Sequence, residues 1–272
     1  MEFRTVVKIA NPGFVIEPLE PVLFVGSCFA DSIGRRFEEE HFPVCINPFG
    51  VMYNPVSVLH TVQRVDVVPR LVFITLGTNH VYRLKETGEV VDNCQKRPQR
   101  LFQEEVLSME QCVQTLTKVV DVLTAKNPDV HVVLTVSPIR YAKYGFHESQ
   151  LSKATLLLAI DQLLMSLNAQ RPDTHCHYFP AYEIVIDELR DYRFYQEDML
   201  HPSAQAVEYI WQRLCECYLS EEAREFIEAW RPLKAALSHR PFHPDSEEYK
   251  AFMDKTMLKV AELQKKYPTF AL

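Results

Sequence analysis

The stretch from Pro21 to Gly34, PVLFVGSCFADSIG, decides how the rest of the chain is read. Pro21 to Val25 is an apolar run with the composition of a buried strand. Gly26-Ser27 interrupts it, and Phe29, Ile33 and Phe37 then recur at helical spacing, with Arg35, Arg36 and Glu38 to Glu40 on the other side. A strand passing straight into a helix is the unit from which α/β folds are built. Ser27 falls at the strand's carboxyl end and the helix's amino end, an exposed position where unpaired N–H groups and the helix dipole favour negative charge. A nucleophilic serine needs such surroundings, because its tetrahedral intermediate carries an oxyanion. Gly26 removes the side chain that would crowd a substrate. The same position equally suits a serine that only caps the helix.

Outward from this unit, strand and helix patterns alternate. Phe3 to Ile9 is an edge strand or an arm, and Phe42 to Ile46 a short strand ended by Asn47-Pro48-Phe49-Gly50. Pro55 suits the first turn of a helix reaching Gln63. Arg70 to Leu76 (RLVFITL) and Val130 to Val136 are apolar runs expected of strands buried on both faces of a parallel sheet. The first ends in Gly77-Thr78-Asn79-His80, the second in Ser137-Pro138. Val81 to Val91, around Thr87-Gly88, reads as a hairpin, and Cys112 to Leu123 as a helix. Gln150 to Ala169 is a long, widely apolar helix; His175 to Phe179 is the fifth strand, and Ala181 to Leu189 a short helix. A polar, aromatic loop from Asp191 leads to Asp198 and His201, ahead of a helix capped by Ser203. Beyond Ser220 only helices are expected, with a bend or break near Pro232 and a capping box at Asp245 and Glu248. Ligands in parallel sheets collect at the strands' carboxyl ends. Ser27, Asn47, Gly50, Asn79 and Ser137 all lie there.

Composition narrows the function. The 272 residues are 47% hydrophobic and 24% charged, as in an ordinary globular protein. A net charge of −7 argues against a nucleic-acid partner. Neither a secretion signal nor a membrane span is visible, and seven cysteines without framework spacing suit reduced thiols in a cytoplasmic protein. No glycine-rich phosphate loop follows a strand, so no nucleotide or other cofactor is expected. His175-x-His177 offers two ligands without a third, so no metal is assigned.

Serine hydrolysis needs a nucleophile, an imidazole, a group that orients the imidazole, and oxyanion donors. Asp198-Met199-Leu200-His201 places a carboxylate within reach of an imidazole; Ser27 is the candidate nucleophile. Cys28, one position on, is directed into helix packing. The order of GS after the first strand, GTN after a middle strand and DxxHP before the last sheet-packing helix resembles the SGNH/GDSL hydrolases. The string Gly26-Ser27-Cys28-Phe29-Ala30 goes further and is similar to the GSCFA family, a mostly bacterial group near those enzymes. NPFGVMYNP, LGTNHVYRLKETGEVV, TVSPIR, YFPAYEIVIDELRDYRFY and EDMLHPS add to the match.

This resemblance implies a three-layer α/β sandwich with a five-stranded parallel sheet in flavodoxin-like order. It would occupy residues 1–219, with a helical extension, 220–272, packed on it or forming a homodimer. It implies Ser27, Asp198 and His201 as catalytic residues, with Ser27 N–H, Asn79 and Gly50, or Asn47 beside it, as the oxyanion hole. Asn47, His80 and Arg140 are candidate substrate contacts. The implied activity is esterase or deacetylase action on an O-acylated carbohydrate or small metabolite. The alternatives are a non-catalytic binding or scaffold protein on the same fold, and an O-acyltransferase. Family members carry an extra segment before the LGT strand where this chain has only Thr61 to Pro69. They often have Ala-Trp in place of Asn79-His80, and a histidine at Gln95 or Tyr141.

Overall fold

The structure, a computed structural model, describes residues 4–92, 94 and 97–272. Phe3 and Gln95 lie outside the described residues. Five parallel strands form the central sheet: β1 (Val22–Gly26), β2 (Val44–Ile46), β3 (Leu71–Leu76), β7 (His131–Val136) and β8 (Cys176–Tyr178), in the spatial order β2-β1-β3-β7-β8. Numbered within that sheet the order is 2-1-3-4-5, the flavodoxin-like arrangement expected. A smaller antiparallel sheet, ordered β5-β4-β6, comprises β4 (His80–Leu84), β5 (Val90–Val91) and β6 (Phe102–Val106). The β4–β5 hairpin is the one expected; β6 is an addition to it.

Alternation along the strands divides the core in two. Phe24, Phe73 and Val133 face one side, with α1 (Cys28–Glu39) and α6 (Ala204–Tyr218). Leu23, Val25, Val72, Ile74 and Leu134 face the other, with α2 (Pro55–Arg64), α3 (Met109–Lys126) and α4 (Phe146–Gln170). Burial on both faces explains the uninterrupted apolar runs. In register across β1 and β3, Phe24 stacks on Phe73 with ring centroids 5.2 Å apart. After β8, α5 (Ala181–Glu183) widens into a π-helical turn, Ile184–Leu189.

The two C-terminal helices, α7 (Glu221–Leu237) and α8 (Glu247–Lys266), extend the first core without a break. Phe226, Trp230, Val260 and Phe270 belong to it, and the Trp230 indole N–H donates to Glu39 O at 3.2 Å. The helix runs through Pro232 instead of breaking there, with Trp230 and Leu233 buried on either side of it. The cap of α8 is Ser246, whose Oγ accepts from Tyr249 N, and not Asp245. The N-terminal segment is an arm: Ile16 N donates to Tyr218 O, and Val7 N to the buried Glu188 carboxylate. No helix among the described residues is long and apolar enough to cross a membrane.

Candidate active site

Ser27 is the N-cap of α1, and its Oγ accepts the Phe29 N–H at 3.3 Å. Across the sheet Gly26 stands opposite Thr75 on β3. Gly26 has φ +141°, and a Cβ there would sit 2.2 Å from Thr75 O. Only glycine lets the two strands close to this distance. Ser27 N–H donates to both Thr75 O and Thr75 Oγ1, each at 3.0 Å, and the two hydroxyls are 3.0 Å apart. The serine expected at an open strand end is 1% exposed.

Beside it, Asn47 adopts φ 42° and joins two elements. Its Oδ1 accepts Gly26 N–H at 2.8 Å, and its Nδ2 donates to Asp31 Oδ1 at 2.7 Å. It therefore holds the serine turn instead of projecting toward a ligand. Gly50 has φ +93°, and its N–H closes a turn onto Asn47 O at 2.8 Å. Asn79 is buried, its Nδ2 donating to Leu107 O at 2.7 Å and its N–H to Ser152 Oγ at 3.0 Å. The Asn79 Oδ1 is buried without a partner among the described residues. Each of the three donors expected at an oxyanion thus bonds within the protein. His80 starts β4 and faces the small sheet: its Nδ1 lies 2.8 Å from Glu104 Oε1, and its ring stacks on Tyr144 at 4.1 Å.

The second half of the site is the loop before α6. A bridge between Tyr195 and Pro202 and the Gln196 N–H to His201 O bond close it, with Met199 left-handed at φ 59°. Asp198 Oδ1 accepts the N–H groups of Leu200 (2.8 Å) and His201 (3.0 Å), while Oδ2 lies 2.6 Å from His201 Nδ1. These bonds, the His201 N–H first, hold the Asp198 carboxyl down at about 2. A carboxylate fixed in this way sets the imidazole's tautomer and leaves Nε2 available. Arg140 anchors the loop beyond the end of β7: its N–H donates to Leu200 O at 3.0 Å and its Nη1 to Met199 O at 2.9 Å. Arg140 is therefore part of the loop's mooring. Among the described residues, no hydrogen bond joins His201 to Ser27.

The GSCFA family profile matches residues 21–69 and 67–214, and the profile of the GSCFA domain protein C-terminal domain matches 230–272. The chain belongs to the GSCFA family. No curated protein sequence matches it significantly. Among solved structures, it is similar to a carbohydrate esterase family 3 protein from Talaromyces cellulolyticus, at 11% identity and TM-score 0.43, covering 78% of this chain and 99% of that one. It is also similar to a GDSL-like lipase from Bacteroides thetaiotaomicron VPI-5482, at 14% identity and TM-score 0.46, covering 78% and 89%.

This GSCFA chain has a further set of polar groups at the strand ends. Three buried side chains on the first turns of α4, Ser149, Ser152 and Lys153, point into them. Ser149 Oγ accepts Tyr141 N–H, and Ser152 Oγ bonds Thr78 Oγ1 and Asn79 N. Lys153 Nζ donates to Gly77 O at 2.8 Å and Ser137 O at 2.7 Å, and complete burial pushes its ammonium down to about 7. The sequence signal was present. Positions i, i+3 and i+4 share a helix face, and these three polar residues head a buried face that continues with Leu156, Ala159, Ile160, Leu163 and Leu167.

Proposed function

We propose that this protein is a serine ester hydrolase of the SGNH type, cleaving an acyl group, most simply acetyl, from a carbohydrate or small metabolite. The observation that carries the reading is the Asp198–His201 pair, 2.6 Å apart and moored past the end of β7. It is a built imidazole–carboxylate unit at the end of the sheet where Ser27 caps α1. In the reaction Ser27 Oγ attacks the ester carbonyl as its proton passes to His201 Nε2. Asp198 holds the imidazolium that forms, and His201 returns the proton to the leaving alcohol. Water then releases the acid by the same proton route in reverse order. Ser27 Oγ must first exchange its Thr75 bond for one to His201, since such contacts tighten only when substrate is bound. The second Asn79 amide hydrogen and the Cys28 N–H at the start of α1 supply the oxyanion contacts, since the Ser27, Phe29 and Ala30 N–H groups already have acceptors. Turnover of p-nitrophenyl acetate by the intact protein, abolished in Ser27→Ala and His201→Ala variants that remain folded, is the expected result. An active Ser27→Ala protein removes the nucleophile.

One observation favours a second reading, a non-catalytic ligand-binding protein on the same fold: Ser27 is enclosed and its N–H already serves Thr75. A fluorophosphonate probe separates the two. Labelling at Ser27 supports the hydrolase, and an unlabelled, folded protein supports the binder.

A further inference from the structure

Lys153 stands apart from every other buried group near the strand ends. Its side chain is 2% exposed, and its hydrogen bonds run to two backbone carbonyls and to no carboxylate among the described residues. An ammonium buried without a counter-ion is destabilising. A methionine would fill the same space without that cost, so packing does not account for the lysine.

The two carbonyls do. Gly77 follows the last residue of β3, and Ser137 the last residue of β7. From Gly77 a chain of contacts leads to the serine. The N–H groups of Gly77 and Thr78 donate to Tyr53 O at 2.8 and 2.9 Å, and the Tyr53 hydroxyl lies 3.6 Å from Cys28 Sγ, next to Ser27. From Ser137 a second chain leads to the imidazole. Ser137 Oγ accepts Ile139 N–H at 3.3 Å, and the adjacent Arg140 grips Leu200 O and Met199 O, the two residues between Asp198 and His201.

We propose that Lys153 is a positioning residue: by tying the ends of β3 and β7 together, it fixes how far the Asp198–His201 loop stands from Ser27. It touches no substrate, and the catalytic side of this inference rests on the reading of Ser27 and His201 given above.

The test compares wild-type protein with Lys153→Met. Lys126→Met is the control, because the Lys126 ammonium also binds backbone carbonyls (Val62 O at 2.8 Å, Gln63 O at 2.9 Å) but at the far end of α2. With p-nitrophenyl acetate, Lys153→Met is expected to lower kcat about tenfold or more while leaving KM within about twofold, the pattern of lost transition-state alignment. Independently of any turnover, the His201 ring gives one set of carbon–proton NMR peaks in the wild type and in Lys126→Met. The set broadens or doubles in Lys153→Met. Should wild-type protein show no turnover, the esterase reading falls and the NMR comparison alone decides the positioning role. A folded Lys153→Met with unchanged His201 peaks overturns the proposal. If Lys153→Met does not fold, Lys153→Gln, which retains N–H donors, takes its place under the same criteria. If neither folds, Lys153 is a stability residue and the proposal is equally overturned.

Discussion

Replacing Gly26 by alanine tests the packing that creates the serine turn. A Cβ at Gly26 would lie 2.2 Å from Thr75 O, 2.7 Å from Thr75 Oγ1 and 2.8 Å from Thr75 N. Two of these are backbone atoms of a strand paired on both sides, with Gly26 opposite Thr75 on one side and Thr135 on the other. Thr75 cannot retreat without breaking a ladder, so the strain falls on β1. Forcing atoms into a packed core costs about 1–3 kcal/mol, and holding a side chain at a disfavoured positive φ costs about 1–3 kcal/mol more. The expected loss is therefore about 2–6 kcal/mol, a large share of the roughly 5–15 kcal/mol that keeps a domain folded. Gly13→Ala is the matched control: Gly13 has φ +71° but nothing within 4 Å of the place a methyl would take, so it loses only the backbone term, about 1–2 kcal/mol. Urea unfolding at neutral pH, read as a shift in midpoint at constant slope, measures both. If Gly26→Ala loses no more than Gly13→Ala, the strands do not close on Thr75 as described, and the enclosure of Ser27 loses its cause.

Two further outcomes follow from named groups. His131 and His177, stacked at 5.6 Å on neighbouring strands, are both pushed down to about 4, first by burial and then by the nearby His175. Unfolded rings titrate near 6.5, so the unfolded chain binds protons that the folded chain refuses. Stability is complete above about pH 6.5 and falls as pH drops toward 4, by on the order of 1–3 kcal/mol for the pair once solvent screening is allowed for. Urea midpoints at about pH 7.5 and pH 5 should show a smaller acid loss in His177→Gln than in wild type; equal losses would refute the assignment. At Asn47, alanine loses the bonds to Gly26 and Asp31 and strains a left-handed backbone, whereas glycine loses only the bonds. Asn47→Gly should therefore unfold at higher urea than Asn47→Ala by about 1 kcal/mol, and the reverse order would show that the turn is not left-handed.

What could be read in the sequence depended on how far away a residue's partner lies. The sheet was legible because β3 and β7 are buried on both faces, and burial writes itself into a run such as Leu71–Leu76 without reference to any other segment. The Asp198–His201 pair was legible for a similar reason: carboxylate and imidazole stand three positions apart in one loop. Ser27 was legible as a helix-capping serine beside a glycine, but not as an enclosed one. Its neighbour Thr75 looks like any β-branched residue in RLVFITL, and only the Gly26–Thr75 register turns that hydroxyl toward the serine. Asn79 is the sharpest case. Its place after β3 is marked by the GTN string, yet its amide is taken by Leu107 O, the residue that follows β6. The β6 strand itself, FQEEV, is hidden in the sequence because Gln103 and Glu104 are exposed and it carries no apolar alternation long enough to register. An asparagine side chain turns toward whichever acceptor arrives beside it. Whether Asn79 can serve an oxyanion is therefore settled as much by a surface strand some 25 residues downstream (roughly, along the chain) as by the motif that contains it.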